Sequence, residues 1–299
     1  MTAELRTVRT ALLDIAYLES GDAKGDPVIL LHGWPSDVHD WDEVAPALAR
    51  AGFRVLVPWL RGFGNTRFLH ADTPRSGQQA ALGADLRDFM DALGIARAWL
   101  AGYDWGGRAA CVLAALQPKR VRGLVTINGY NIQNIARSHQ PADALQEHRY
   151  WYQWYFHTER GREGLRANRR EIARLLWQLW SPSWRFDDAA FAATAPSFDN
   201  PDFVDVTIQS YRHRYANADG DPRYAEWEAL LAIQPVIQVP TVVLHGECDG
   251  VGPPEQSVGG ERKFGSRYRR QVVAGAGHFL SREAADTVVE AVMELARNA

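Results

Sequence analysis

The chain has 299 residues, of which 46% are hydrophobic and 23% are charged, and a net charge of −3 at pH 7. This length and composition provide a large buried core, in one domain or in a domain with an inserted lid. The small negative charge argues against a general attraction to nucleic acids or anionic membranes. No stretch approaches about 18 consecutive apolar residues, so no membrane-spanning helix is predicted.

The cysteine content and the N-terminal segment bear on the compartment. Two cysteines are too few for a disulfide framework, and residues 1–6 lack the basic and apolar segments of a secretion signal. We therefore expect a cytoplasmic protein. No feature of the sequence predicts an oligomeric state.

Strands and helices alternate over the first 130 residues. Residues 13–17 alternate apolar and polar side chains, as an edge strand does. Leu82, Leu86, Phe89 and Leu93 lie on one face of a predicted helix that ends at Gly94. Short apolar runs typical of buried parallel strands occupy residues 27–31, 54–57 and 121–127.

No buried strand is predicted between residues 131 and 217, where aromatic residues are dense and Trp177, Trp180 and Trp184 follow helical spacing. Strand patterns resume later, and a final amphipathic helix is expected. The strands are residues 240–244 and 270–273, and the helix contains Val288, Val292 and Leu295.

This pattern predicts an α/β fold with a mostly parallel sheet flanked by helices and an inserted helical cap. The expected division is a core formed by residues 1–130 and 218–299, with a cap formed by residues 131–217. A cap in this position covers the carboxyl ends of the strands, where such sheets place their sites.

The segment Gly102–Gly107 lies between an apolar strand and an apolar helix, which is the context of a nucleophile elbow. The nucleophile position holds Asp104. A carboxylate is poorly suited to acyl transfer, because attack on an ester gives an anhydride. It is well suited to displacement at saturated carbon, where it leaves an alkyl ester that water can cleave. The leaving group must then be activated, as in an epoxide or a carbon–halogen bond.

Three further segments follow predicted strands. Asp249 could orient a histidine, with Glu247 as a competing acid, and His278 lies in a glycine-rich loop where it could activate water. The backbone N–H groups of Trp34 and Trp105 could bind an oxyanion. Each segment alone could be an ordinary loop, but the order nucleophile, acid, histidine is that of the α/β-hydrolase fold.

At these residues the chain resembles the epoxide hydrolase and dehalogenase branch of the α/β-hydrolases, over nearly its whole length. The resemblance implies the α/β-hydrolase fold and a covalent mechanism that uses no metal and no organic cofactor. The segments on which it rests are His32–Pro35, Arg61–Gly64, Gly102–Gly107, Asp249 and His278.

The cap favours the epoxide hydrolases within this branch. Tyr152 falls on the position of one ring-opening tyrosine of those enzymes, and Tyr211 falls on the position of the second. An epoxide oxygen leaves as an alkoxide and needs such proton donors, although each tyrosine could instead serve packing alone. Trp105 and Trp154 are expected to contact an apolar substrate.

Two dehalogenase patterns fit less well. Haloalkane dehalogenases usually have Asn where this chain has Trp34. Fluoroacetate dehalogenases have the segment Asp-Arg-Gly-Gly-Arg, which begins with the nucleophile. This chain has Trp105 in place of the first arginine and keeps only the second, Arg108. Arg108 could instead be a helix-surface charge, and Tyr103 has no assigned role.

The sequence therefore predicts an epoxide hydrolase that opens an apolar epoxide with water. The alternative is a hydrolytic dehalogenase, for haloalkanes or haloacetates, with the same nucleophile. A binding protein without activity is disfavoured, because a binding pocket has no use for a general base.

Overall fold

One large sheet forms the centre of the molecule. The structure, a computed structural model, describes residues 3–298. Met1 and Thr2, part of the segment in which no secretion signal is expected, and Ala299 lie outside the described residues. The strands are β1 (Glu4–Arg9), β2 (Leu13–Gly21), β3 (Pro27–Leu31), β4 (Arg54–Pro58), β5 (Arg67–Phe68), β6 (Ala98–Gly102), β7 (Val121–Ile127), β8 (Thr241–Gly246) and β9 (Tyr268–Val273).

The order across the sheet is β1-β2-β4-β3-β6-β7-β8-β9, with β5 paired to β2. The strands from β4 to β9 in this order are parallel, and β1 and β2 are antiparallel additions at one end. The prediction of a mostly parallel sheet is confirmed, and each of the predicted buried runs is a strand. β3 and β6 lie in the middle of the sheet, which explains their almost unbroken apolar sequences.

The prediction that residues 13–17 form an edge strand is wrong. They belong to β2, which has β1 on one side and β4 on the other. β1 carries exposed charged and polar side chains along its length, a composition that suits an outermost strand. The alternation in β2 therefore reflects its two differently covered faces and not an edge position.

Helices cover the sheet and fill the chain between β7 and β8. α1 contacts α11, and α2 contacts α3, so the core helices form two groups around the sheet. The helices are α1 (Val44–Arg50), α2 (Gln79–Ala92), α3 (Asp104–Leu116), α4 (Ala144–Arg149), α5 (Trp151–Phe156), α6 (Glu159–Trp180), α7 (Asp188–Thr194), α8 (Phe203–Arg214), α9 (Ala225–Ala232), α10 (Leu280–Glu283) and α11 (Ala285–Arg297).

The predicted helices are present, except that the one containing Trp177 and Trp180 ends at Trp180, so Trp184 lies outside it. Leu82, Leu86 and Phe89 are buried on α2, and Gly94 follows its end with a φ of +66°, a conformation that suits glycine. Among the described residues no strand lies between β7 and β8, as predicted. α4 to α8 lie in the inserted segment, whereas α9 lies after residue 217 and contacts α2 and α3. The exact limits of the cap at residues 131 and 217 remain a prediction.

Three buried indole N–H groups join the core to the inserted segment. Each donates a hydrogen bond of 3.0 Å or less between a core segment and the insertion. The pairs are Trp34 Nε1 to Thr207 Oγ1, Trp59 Nε1 to Ser197 Oγ, and Trp177 Nε1 to the Pro35 carbonyl. The insertion is therefore held firmly over the sheet.

The helices of residues 3–298 include none with the length and apolar character that a membrane span requires.

A buried ion pair connects α2 to the turn after β4. Both oxygens of Asp85 accept hydrogen bonds of 2.6 Å from Nε and Nη2 of Arg61, which is 1% exposed. Arg61 also donates to the Ser76 carbonyl and the Tyr224 hydroxyl. The guanidinium is fully buried, so the carboxylate of Asp85 is what compensates its positive charge.

We expect Asp85→Asn to lower the free energy of unfolding by about 3–5 kcal/mol, because it leaves the buried Arg61 charge without a counter-ion. Denaturant titration measures the change. The control is Asp91→Asn on the same helix, where Asp91 pairs with Arg120 but has a side chain 54% exposed. This exposed pair should contribute no more than about 1 kcal/mol. Equal effects of the two variants would contradict the prediction.

Candidate active site

The turn between β6 and α3 presents Asp104 at the carboxyl end of the sheet. Asp104 has a φ of +47°, which is unusual for a residue with a side chain and costs about 1–3 kcal/mol. A Cβ on Gly106 would lie 2.1 Å from the Leu31 carbonyl oxygen, so only glycine allows α3 to approach β3 this closely. The local sequence thus forces the strained conformation that exposes the carboxylate at the first turn of the helix.

The backbone N–H of Trp34 donates a 2.9 Å hydrogen bond to Oδ1 of Asp104. Trp34 follows β3, and Trp105 is the next residue after Asp104 in the first turn of α3. Both tryptophan side chains are fully buried. The structure thus brings the Trp34 N–H to Asp104, as the sequence predicts, with the start of α3 beside it.

Asp249 and His278 form a buried pair beyond the ends of β8 and β9. The distance from His278 Nδ1 to Asp249 Oδ2 is 2.9 Å. Asp249 Oδ1 accepts hydrogen bonds of 2.9 Å from the backbone N–H groups of Val251 and Gly252, and Asn128 donates its side-chain amide to Oδ2. Nε2 of His278 has no hydrogen-bond partner among the described residues. The outer nitrogen is therefore free to bind a water molecule.

The electrostatics of the pair favour an ionised acid and a basic imidazole. Burial alone would lower the pKa of His278, but the charge of Asp249 and their hydrogen bond outweigh it, so that the pKa is raised. Burial opposes ionisation of Asp249, yet His278 and the two backbone donors keep its pKa below the ordinary value. The competing acid, Glu247, instead accepts a hydrogen bond from the Gly275 N–H.

Tyr152 and Tyr211 lie together beside Trp34. Their ring centroids are 5.4 Å apart, and they lie 5.6 Å and 5.2 Å from the Trp34 ring. The Tyr152 hydroxyl accepts a hydrogen bond from Gln153, whereas the buried Tyr211 hydroxyl has no partner within residues 3–298. Burial raises the pKa of both phenols, and the charge of Asp104 adds to this effect, so both stay protonated at neutral pH.

Neither of the two tryptophans expected to contact the substrate lines the cavity. Trp154 is 38% exposed, donates its indole N–H to Glu147 and packs against Tyr215 on the outside of the insertion. Trp105 is buried against Tyr211 and, like Trp154, is not among the described residues that line the cavity beside Asp104. Position 154 lies on the outer side of α5, while Tyr152 and Gln153 lie on its buried side.

Comparison with known proteins agrees with the fold. A family model described as the alpha/beta hydrolase fold matches residues 26–285. The chain belongs to this family.

Two relatives of the hydrolase are similar over almost its whole length. A solved structure from Klebsiella pneumoniae, described as a "putative epoxide hydrolase", is 44% identical, with a TM-score of 0.96 over 98% of this chain and 97% of that one. Epoxide hydrolase A of Mycobacterium tuberculosis is 25% identical over 97% of this chain and 96% of that protein. Epoxide hydrolase B of the same organism is 32% identical, over 47% of this chain and 42% of that protein. The chain is thus an epoxide hydrolase-like α/β-hydrolase.

The hydrolase has a cavity of about 600 Å³ beside Asp104, and Tyr211 is not among the described residues that line it. Its lining includes Asp104, Tyr152 and His278, and also two arginines, Arg108 and Arg214. Arg108 is only 6% exposed, so the alternative that it is a helix-surface charge is wrong. It lies one turn after Asp104 on α3, which directs it to the same side of the helix.

Tyr103 has a supporting position in this hydrolase. Its ring lies 5.6 Å from the ring of His278, and its hydroxyl donates a 2.6 Å hydrogen bond to Asp40. Asp40 also accepts from Arg282 at 2.7 Å. The hydrogen bond between Tyr103 and Asp40 anchors the turn before the nucleophile to the segment that follows β3.

Sequence analysis missed three residues of the site. Asn128 directly follows β7, at the same end of the sheet as Asp104. This position could have predicted that Asn128 belongs to the site. Arg214 is three residues after Tyr211 and therefore on the same face of α8. Gln153 is the neighbour of Tyr152, and only the structure reveals that it donates to that hydroxyl.

No group of three or more His, Cys, Asp and Glu side chains is placed to hold a metal ion within residues 3–298.

We expect His278 to titrate above the ordinary histidine value near 6.5 and Asp249→Asn to lower its pKa. The variant removes the largest of the charges that raise the pKa and keeps the burial that lowers it. Nuclear magnetic resonance titration of the imidazole measures both values. Asp42→Asn removes the partner of the half-buried His39 and is the matched control. An unchanged His278 titration in Asp249→Asn would show that Asp249 does not govern the imidazole.

Proposed function

We propose that this hydrolase opens an epoxide to a diol through an ester between the substrate and Asp104. The observation on which the proposal depends is the pair of buried phenols, Tyr152 and Tyr211, next to the Trp34 loop that binds the Asp104 carboxylate. Proton donors at this position suit a leaving oxygen that stays in the product. The similarity to proteins named epoxide hydrolases supports the same reaction.

In the first step an Asp104 oxygen attacks an epoxide carbon and the carbon–oxygen bond of the ring breaks. The leaving oxygen takes a proton from Tyr152 or Tyr211 and becomes a hydroxyl group. Because the raised pKa values keep both phenols protonated, each is in the form that donates. The alkoxide is a stronger base than a phenolate, so the transfer is favourable.

In the second step His278 Nε2 takes a proton from water, and the resulting hydroxide attacks the carbonyl carbon of the Asp104 ester. Asp249 stabilises the imidazolium that forms. The N–H groups of Trp34 and Trp105 stabilise the negative oxygen of the tetrahedral intermediate. The imidazolium then protonates the leaving alkoxide. The proton left on the Asp104 carboxyl group passes to the phenolate, so the diol is released with both Asp104 and the tyrosine restored.

A second candidate function is hydrolytic removal of a halide by the same Asp104 and His278. The observation that favours it is the buried indole N–H of Trp105, which has no hydrogen-bond partner in the described part of the chain. A departing halide needs N–H donors and no proton. Side-by-side assays with an epoxide, a bromoalkane and fluoroacetate distinguish the two functions.

We expect His278→Gln to accumulate the ester, because only the second step needs activated water. Incubation with a panel of neutral and acidic epoxides, followed by mass spectrometry, should reveal the protein plus one substrate mass, on the peptide that contains Asp104. A bromoalkane would add only its alkyl group.

The control for the ester is the double variant Asp104→Ala with His278→Gln, which should remain unmodified. Hydrolysis by wild type in 18O-water gives an independent check, since a single turnover should place label in Asp104. Label confined to the diol would mean direct attack by water and would overturn the covalent mechanism.

We expect Tyr152→Phe or Tyr211→Phe alone to slow epoxide opening by roughly 10²-fold or less, because the remaining phenol can still donate. The double variant should lose up to about 10⁴-fold. The losses should not be additive, since both donors serve one oxygen. Single-turnover kinetics measures the opening step.

Tyr155→Phe is the matched control for the loss of a phenol from α5, since the Tyr155 hydroxyl lies against Gly164 of α6. It should open epoxides at the wild-type rate. Normal epoxide opening by the folded double variant would remove both tyrosines from the ring-opening role.

A further inference from the structure

The cavity contains a buried cation that the mechanism does not use. Nε and Nη1 of Arg108 are buried and have no hydrogen-bond partner among the described residues. The charge of Asp104 attracts this guanidinium, but without hydrogen bonds the group does not recover the cost of its lost hydration. This cost indicates a ligand that is absent from the protein alone.

A second cation lies on the same cavity. Arg214, at the end of α8, donates to the neutral amide of Gln153 at 3.1 Å and lies 4.7 Å from the centre of the Tyr211 ring. When the Gln133 amide is oriented so that both of its polar atoms have partners, its side-chain oxygen also accepts hydrogen bonds from Arg214. Neither arginine forms a salt bridge with a carboxylate of residues 3–298. Arg214 therefore forms hydrogen bonds with neutral groups only, although the charge of Asp104 also acts on it.

The two guanidinium groups act on each other. Burial is the main cause that lowers the pKa of Arg108, to about 10, and the positive charge of Arg214 lowers it further. Two like charges on one cavity wall repel each other, and an anion between them would relieve both the repulsion and the missing hydrogen bonds.

We infer that Arg108 and Arg214 bind a carboxylate of the substrate, so that the hydrolase acts on small epoxy acids. A guanidinium offers two parallel N–H donors that match the two oxygens of a carboxylate. Arg108 lies only one helical turn from Asp104, so the acid group belongs on or next to the epoxide. This substrate class replaces the wholly apolar epoxide expected from the aromatic residues of the cap, and it rests on the proposed function.

The cations also remove an obstacle to the chemistry. An anionic substrate is repelled by the Asp104 carboxylate, and two neighbouring positive charges offset this repulsion. When Asp104 becomes an ester it loses its own charge, and the substrate carboxylate remains as the counter-ion of both arginines. The charge balance of the cavity is thus kept in both steps.

The test compares oxirane-2-carboxylate with oxirane-2-carboxamide, which has nearly the same shape and no charge. Wild type should prefer the acid in kcat/KM. Arg108→Gln and Arg214→Gln should each reduce that preference by about tenfold to a hundredfold, the range for a charge-assisted hydrogen-bonded contact. Arg166→Gln, an exposed arginine on α6, should leave the preference unchanged. If the arginines served only to stabilise the phenolate of Tyr211, both substrates would lose activity equally and the inference would be wrong.

A binding measurement separates this inference from the proposed function. At equal ionic strength, propionate should raise the melting temperature of wild type, while propionamide should not, and the double variant Arg108→Gln with Arg214→Gln should show no response to propionate. This result would support the carboxylate site even if no epoxide were hydrolysed. A larger effect of methylphosphonate than of propionate would overturn the choice of a carboxylate.

The stability of the variants excludes a merely structural role. Without ligand, Arg108→Gln should melt at a higher temperature than wild type, because it removes an unpaired buried charge. A lower melting temperature would mean that Arg108 stabilises the fold and would contradict the inference.

Discussion

The close approach of α3 to β3 is the constraint on which the whole site depends. Gly106 lies against the backbone of β3, and no larger residue fits there. This contact forces the turn before it to be tight and holds Asp104 in a left-handed conformation. The same contact brings the loop after β3 within hydrogen-bonding distance of the carboxylate. A packing requirement between a helix and a strand thus produces both the nucleophile and its stabilising donor.

The rest of the site distributes charge around that carboxylate. The acid–histidine pair lies on one side, with the acid satisfied by backbone donors and the outer imidazole nitrogen unoccupied. The phenols with raised pKa values belong to the insertion. Two guanidinium groups lie on the same cavity. Arg108 is on α3 with Asp104, and Arg214 is on α8 with Tyr211, so each cation lies on the same helix as a reacting group.

The sequence predicted most of the fold, because buried parallel strands and amphipathic helices leave strong local patterns. It missed the true position of β2 because an outer strand such as β1, with exposed charged residues, has no apolar signature. Residues with fixed positions after strands, such as Asp249, were placed well. Arg108 and Trp154 were misjudged because the side on which a helical residue is buried depends on what packs against it, and that is decided by distant parts of the chain.

The three indole hydrogen bonds between core and insertion affect how molecules enter and leave the cavity. Lifting the insertion would break all of them in a buried setting, at about 1–3 kcal/mol each. The cavity instead reaches the loop that contains Val258, a side chain 65% exposed. We therefore expect reactants and products to exchange at this loop while the insertion stays closed. Substitutions in the loop should then change which molecules enter without changing the reacting groups.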